Sequence, residues 1–138
     1  MEELWDFFMK PENLMQITPP DVKFKVLSIP EDIKCMKQGL IIRYKISPFL
    51  GIYMNWTTEI TELKEKDFFV DDQTTGPYKK WIHRHSFKAI EDGVEMTDEL
   101  EYELSFGILG KIAHGMFVRK QVEGIFEYRK RKLKELFG

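Results

Sequence analysis

The chain has 138 residues, 43% hydrophobic, 14% aromatic and 32% charged, which implies one domain around one core and excludes a disordered chain. Lys and Arg number 21 against 23 Asp and Glu, and the net charge of −2 supplies no global attraction to nucleic acid or anionic lipid, so no nucleic-acid partner is expected. The one cysteine, Cys35, forms no intramolecular disulfide. No Cys/His spacing matches a zinc site, no segment approaches membrane-spanning length, and "MEELWDFF" lacks the pattern of a secretory signal; a cytoplasmic location is expected.

Residues 2–9 place Leu4, Trp5, Phe7 and Phe8 on a helical stripe behind Glu2, Glu3 and Asp6, a short amphipathic helix with acidic groups at its positive end. Pro11 opens a second short helix, "PENLMQI", which Pro19 and Pro20 end. From Val22 the period changes to two. Val22, Phe24 and Val26 alternate with lysines, and after an irregular stretch from Ile29 to Gly39, Leu40, Ile42, Tyr44 and Ile46 alternate with Ile41, Arg43 and Lys45. Beyond Pro48 and Gly51, the residues Ile52, Met54, Trp56, Thr58 and Ile60 look inward. "KEKD" makes a turn before a strand from about Phe68 to Thr74, and Gly76-Pro77 turns the chain into a strand from Lys80 to Ala89.

That last strand carries Trp81, His83, His85 and Phe87 on one side and Lys80, Ile82, Arg84 and Ser86 on the other. Asp92-Gly93 signals a tight hairpin, because both residues tolerate positive φ. In the following strand Met96, Asp98, Leu100, Tyr102 and Leu104 oppose Thr97, Glu99, Glu101, Glu103 and Ser105, so the glutamates claim the solvent side. After "FGILG" a helical stripe of Val118, Val122, Ile125, Phe126, Leu133 and Leu136 predicts a C-terminal helix of about 25 residues, roughly 37 Å long. Gly115 and Gly124 weaken it by roughly 1 kcal/mol each relative to Ala, so packing must stabilise it.

The order of two short helices, a run of antiparallel strands and a long last helix resembles the helix-grip fold of the START-like (SRPBCC) superfamily. "DFFMKPENLMQITPP", "FFVDDQTTGPYKKWIHRHSF", "MTDELEYELSFGILG" and "GIFEYRKRKL" are similar to successive motifs of its polyketide cyclase/dehydrase-like branch, over nearly the whole chain. The resemblance implies an α+β fold, residues 1–138 as one ligand-binding domain, and a curved antiparallel sheet around the C-terminal helix with a hydrophobic cavity between them. It also implies a hydrophobic small-molecule partner and no cofactor. The usual first strand of the family is absent, since only six strands can be drawn. The strand at 95–105 then presents an open edge, and either the true start lies upstream or a neighbouring chain, as in a homodimer, covers it.

Hairpin pairing brings Asp98, Leu100, Tyr102 and Leu104 beside the histidine strand from one side, with Asp98 opposite or one diagonal step from His85. Phe69, Asp71 and Gln73 share parity on the other side, although Phe68, Val70 and Asp72 form a competing face. An inward carboxylate must be paired, and a histidine one strand away is the obvious partner. Two interpretations stay open. In one, His83, His85, Asp98 and Asp71 orient or protonate a bound molecule; in the other they are a satisfied polar cluster that fixes strand register. Tyr44, Trp56, Phe69, Trp81 and Tyr102 line the expected pocket. Arg129, near the helix stripe, either reaches a ligand carboxylate at the cavity mouth or lies along the surface with its head in water.

No metal is expected, because two histidines on one strand face leave a third ligand unspecified. Burying about 300 Å² of apolar ligand would contribute roughly 7 kcal/mol before ordering losses, which suits a lipid, polyketide or aromatic polycycle. Binding is the leading function. A cofactor-free cyclase or dehydratase using His83, His85 and Asp98 is the enzyme alternative. A protein-interaction role comes third, since some relatives of this branch carry a cell-division-inhibitor label.

Overall fold

The structure, a computed structural model, describes residues 1–22, 25–28, 36–49, 52–104 and 112–138. Helix α1 spans Glu2–Phe8, with Trp5 and Phe8 buried and the acidic Glu2 and Glu3 in its first turn. Pro11 opens the next element as expected, but Pro11–Ile17 winds as a 3-10 helix rather than an α-helix. A further 3-10 turn covers Pro20–Val22, so the strand expected from Val22 begins later, at Lys25. Two prolines in succession leave this segment short of amide donors and favour a tight turn over a ladder. Phe24 and Cys35 lie outside the described residues.

Among the described residues six strands follow: β1 (Lys25–Ser28), β2 (Ile41–Phe49), β3 (Ile52–Lys64), β4 (Phe68–Thr75), β5 (Tyr78–Ile90) and β6 (Gly93–Leu104). Each pairs antiparallel with the next in one sheet of order β1-β2-β3-β4-β5-β6. Register shifts interrupt four of the five ladders, as between Ile60 and Glu62 against β4 and between Tyr78 and Lys80 against β6. Such irregularities bend strands and turn a sheet into a concave surface. The concave face carries Ile42, Tyr44 and Ile46 of β2, Trp56, Thr58 and Ile60 of β3, Phe69 of β4 and Phe87 of β5, all buried. On the convex face Glu95, Glu99, Glu101 and Glu103 of β6 are exposed, and Lys80 donates to Glu101 at 2.6 Å.

The turns depart in detail from expectation. The β5–β6 hairpin pairs Ile90 with Gly93, so its two loop residues are Glu91 and Asp92. Asp92 does not use positive φ, which among the described non-glycine residues occurs at Lys66 (φ 59°) in the "KEKD" turn. Between β4 and β5, Gln73 ties the turn together: its amide donates to the Tyr78 carbonyl at 2.6 Å while its carbonyl accepts from the Tyr78 N–H at 3.2 Å.

Helix α2 runs from Ile112 to Phe137, 26 residues. Val122 is buried, and Ile125, Phe126 and Leu133 pack against the core. Leu136, expected on that stripe, is 45% exposed. The side chain of Val118 lies outside the described residues. Helix α1 meets the end of α2 through Phe7 and Phe137, whose rings lie 5.3 Å apart edge to face. A six-stranded antiparallel sheet holding one long helix against its concave side is the helix-grip α+β arrangement.

Candidate functional site

The side chains at 83 and 85 project from one face of β5 and are almost wholly enclosed, at 3% and 2% exposure. Their rings belong to a column. Phe69 stacks on His85 at 4.1 Å and 11°, His85 overlaps His83 at 3.6 Å, and Phe126 of α2 closes on His83 edge to face at 5.2 Å. Strands β4 and β5 thus hold the rings from one side and the long helix from the other.

The carboxylates pair crosswise. Cα register sets Asp71 opposite His83 and Asp98 opposite His85. The hydrogen bonds run along the diagonals: His85 Nε2 to Asp71 Oδ2 at 2.5 Å and His83 Nε2 to Asp98 Oδ1 at 2.8 Å. The facing contacts are longer, 3.8 Å from His83 Nδ1 to Asp71 and 3.5 Å from His85 Nδ1 to Asp98. An ionised carboxylate only accepts, so each Nε2 carries the proton and donates it. The Nδ1 of a neutral ring is then a lone pair, and His85 Nδ1 is buried without a hydrogen-bond partner.

Burial, followed by the charge of His83, pushes His85 down to about 4, against the opposing pull of Asp71 and Asp98. It is therefore neutral at physiological pH. Burial alone would raise both aspartates, but the hydrogen bond from His85 and the neighbouring charges hold Asp71 below the ordinary carboxylate range. The hydrogen bond from His83 does the same for Asp98. Burial, reinforced by Asp71, drives the Tyr44 hydroxyl far upward, so it remains protonated.

A cavity of about 130 Å³ lies beside this cluster, walled by Tyr44, Ile46, Trp56, Ile60, Tyr78 and Trp81 from the sheet and by Gln121, Ile125, Phe126 and Arg129 from α2. Asp71, His83, His85 and Phe69 also line it, together with Phe8, Leu14 and Val22 from the N-terminal segments. The aromatic end is rigid: Trp56 meets Trp81 edge to face at 5.1 Å, and its Nε1 donates to Thr58 at 3.0 Å. A second, open groove of about 990 Å³ lies between β6 and α2, with Asp98, Leu100 and Tyr102 on one wall and Val122, Leu133 and Phe137 on the other. Phe126 and Arg129 belong to both spaces and form the partition between them.

Arg129 does not lie along the surface. Its Nε and Nη1 are buried with no hydrogen-bond partner. Asp71 and Asp98 act on it through their charge, yet make their ion pairs with the histidines. Gln121 Oε1 is likewise buried and unpartnered. Burial pulls the guanidinium down, but an arginine keeps its proton.

Of the residues singled out in the sequence, Tyr44, Trp56, Phe69, Asp71, Trp81, His83, His85 and Arg129 meet at the cavity. Asp98 and Tyr102 face the groove. Gln73 is buried on the same strand face but commits both ends of its amide to Tyr78. Gln121, Tyr78 and Phe126 are site residues that the sequence reading misses. Gln121, Ile125 and Arg129 recur at steps of four on one helix face, a spacing that would have found the first of them. Asp71, His83 and His85 could hold a metal, with donor atoms all within 4.8 Å of one another. As the rings stand, however, they overlap rather than converge on a point, and both Nε2 protons already bind carboxylates.

No protein-family model matches the chain, and no curated protein matches it in sequence. Solved structures do match. The protein TTHA0849 from Thermus thermophilus superposes with a TM-score of 0.61 at 15% identity, over 97% of this chain and 91% of that one. Ms6760 from Mycobacterium smegmatis gives a TM-score of 0.64 at 15% identity, over 97% and 83%. Major latex-like protein 151 from Panax ginseng, a Bet v1-like protein of the START type, gives 0.56 at 16% identity, over 88% and 86%. The likeness is one of fold, and function must be argued from the site.

Proposed function

We propose that this chain is a single ligand-binding domain of the polyketide cyclase/dehydrase-like kind, cytoplasmic, which holds an amphipathic small molecule between its sheet and α2. The observation that carries the reading is Arg129, whose buried Nε and Nη1 N–H groups are unsatisfied at the wall of a cavity lined mainly by aromatic and aliphatic side chains. Buried N–H groups without acceptors cost stability, so they are understandable as half of an interaction that a ligand completes. The enclosed space of about 130 Å³ is close to that of a cavity which takes up one benzene ring. A polyketide, a polycycle or a lipid would place one end there and lay its remaining length in the groove beside β6, past Phe126 and Arg129.

Native mass spectrometry of the protein purified from its own source tests this. A co-purified small molecule, released on unfolding, is the expected result. Bare protein that also fails to take up aromatic probes would overturn the proposal.

The enzyme reading is favoured by one observation, the unpartnered Nδ1 of His85, a lone pair backed by the hydrogen bond to Asp71. That is the arrangement of a general base held in one tautomer by a carboxylate. If it acts so, His85→Gln and Asp71→Asn abolish turnover of a bound β-hydroxy ketone, while affinity falls by no more than the loss of one hydrogen bond, about tenfold. Unchanged turnover in both variants removes the enzyme reading.

A further inference from the structure

Among the described residues, three groups at the cavity lack hydrogen-bond partners, and they differ in kind. Arg129 Nε and Nη1 are donors, Gln121 Oε1 is an acceptor, and His85 Nδ1 is an acceptor because its Nε2 proton is committed to Asp71. All three residues line the same enclosed space. Each such atom left unsatisfied in the interior costs free energy, and their convergence outlines the polar groups of the missing molecule in negative.

The usual expectation for an arginine is a carboxylate. The surroundings of Arg129 argue otherwise. Two carboxylates, Asp71 and Asp98, already act on its charge, and both stand below the usual carboxylate range. Against them stand the guanidinium and the imidazole of His83, which donates to Asp98, with His85 neutral. What Arg129 lacks is therefore hydrogen-bond acceptors rather than negative charge. A third carboxylate brought beside Arg129 would meet Asp71 on the cavity wall and Asp98 in the adjoining groove as like charges.

We infer that the cavity selects an uncharged ligand whose buried end, about one ring in size, bears a carbonyl-type acceptor for Arg129 beside a hydroxyl or N–H donor for His85 or Gln121. Asp71 and Asp98 then act as the groups that reject an anion of the same shape. The inference rests on the binding reading above and adds to it a charge and a donor–acceptor pattern.

Four one-ring probes separate the contributions: 3-hydroxyacetophenone offers acceptor and donor, acetophenone the acceptor alone, ethylbenzene neither, and 3-hydroxybenzoate the donor with a charged acceptor. Affinities are read by titration calorimetry up to millimolar concentrations, alongside quenching of Trp56 and Trp81. On the wild type, 3-hydroxyacetophenone should bind about five- to tenfold tighter than acetophenone, and acetophenone tighter than ethylbenzene by a similar factor. The benzoate should bind most weakly of the four. Asp98→Asn removes one like charge at a partly exposed position and should improve the benzoate about tenfold while leaving ethylbenzene unchanged. Arg129→Met should bring acetophenone level with ethylbenzene; should that variant not fold, the Asp98→Asn comparison decides alone. The benzoate binding as tightly as 3-hydroxyacetophenone, or gaining nothing in Asp98→Asn, overturns the inference and leaves the binding reading standing. Failure of all four probes to bind overturns both.

Discussion

Burying guanidinium N–H groups without acceptors is a standing cost to the folded chain, and Arg129 carries that cost at Nε and Nη1 in the ligand-free state. Replacing it with a methionine of similar length should therefore stabilise the empty protein by about 1–2 kcal/mol, the cost of those N–H groups outweighing the lost attraction of Asp71 and Asp98. Urea unfolding checks this. A lower midpoint in Arg129→Met would mean that the guanidinium supports the fold and has no need of a ligand.

The neighbouring histidine sets the acid limit. His85 takes up a proton only near pH 4 in the fold, against about 6.5 in an unfolded chain. Between those values the unfolded state binds more protons, so stability is present above about pH 6.5 and is lost as pH falls through this window. Asp71 and Asp98, held low, add loss in the same direction at still lower pH. Unfolding stability should be level above neutrality and decline from about pH 6.5, by roughly 3 kcal/mol in all from His85. His85→Gln should remove most of the decline above pH 4, and an equal slope in that variant would assign the effect elsewhere. The parity argument that turned Asp98 inward was legible in the sequence. Its partner was not: strand register sets Asp98 opposite His85, while its hydrogen bond reaches diagonally to His83. Side-chain reach and the twist between strands decide such contacts, and neither is written in alternation.

Among the elements, two glycines test opposite predictions. Gly124 lies on the exposed side of α2, where an added Cβ would meet nothing within 4 Å. Gly124→Ala should stabilise the helix by up to about 1 kcal/mol, measured as a raised unfolding midpoint. Gly76 sits in the β4–β5 turn, where a Cβ would collide with the side-chain amide of Gln73. Gly76→Ala should displace the amide that holds Tyr78 and cost about 1–3 kcal/mol. No change there would show that the Gln73 contact contributes little. The strands were well announced by period-two alternation and the last helix by its apolar stripe. The N-terminal segments were less so, since a proline-rich run of seven residues closes equally well as a 3-10 or an α turn, and packing under α2 selects between them.

For the whole molecule, the consequential fact is that sheet and helix enclose space rather than filling it. Ile125 lines that space from α2, and Ile125→Phe should occupy part of it. Loss of aromatic-probe binding with an unfolding midpoint kept or raised is the expected outcome. A variant that binds as the wild type does would place the ligand in the groove alone. Strand β6 remains at the sheet edge, paired with β5 alone among the described residues, as the count of six strands predicted. No described helix is long and apolar enough to cross a membrane.

Alternation and helical spacing by themselves marked the strands, the long last helix and the inward side of β5, because burying one face of an element leaves its period in the sequence, and the α+β helix-grip arrangement followed from the family resemblance those elements carry. The crossed pairing of histidines and carboxylates and the absence of hydrogen bonds at His85 Nδ1 and at Arg129 Nε and Nη1 were decided only in three dimensions. They depend on distances between elements far apart in the chain, and periodicity within one element carries no information about those.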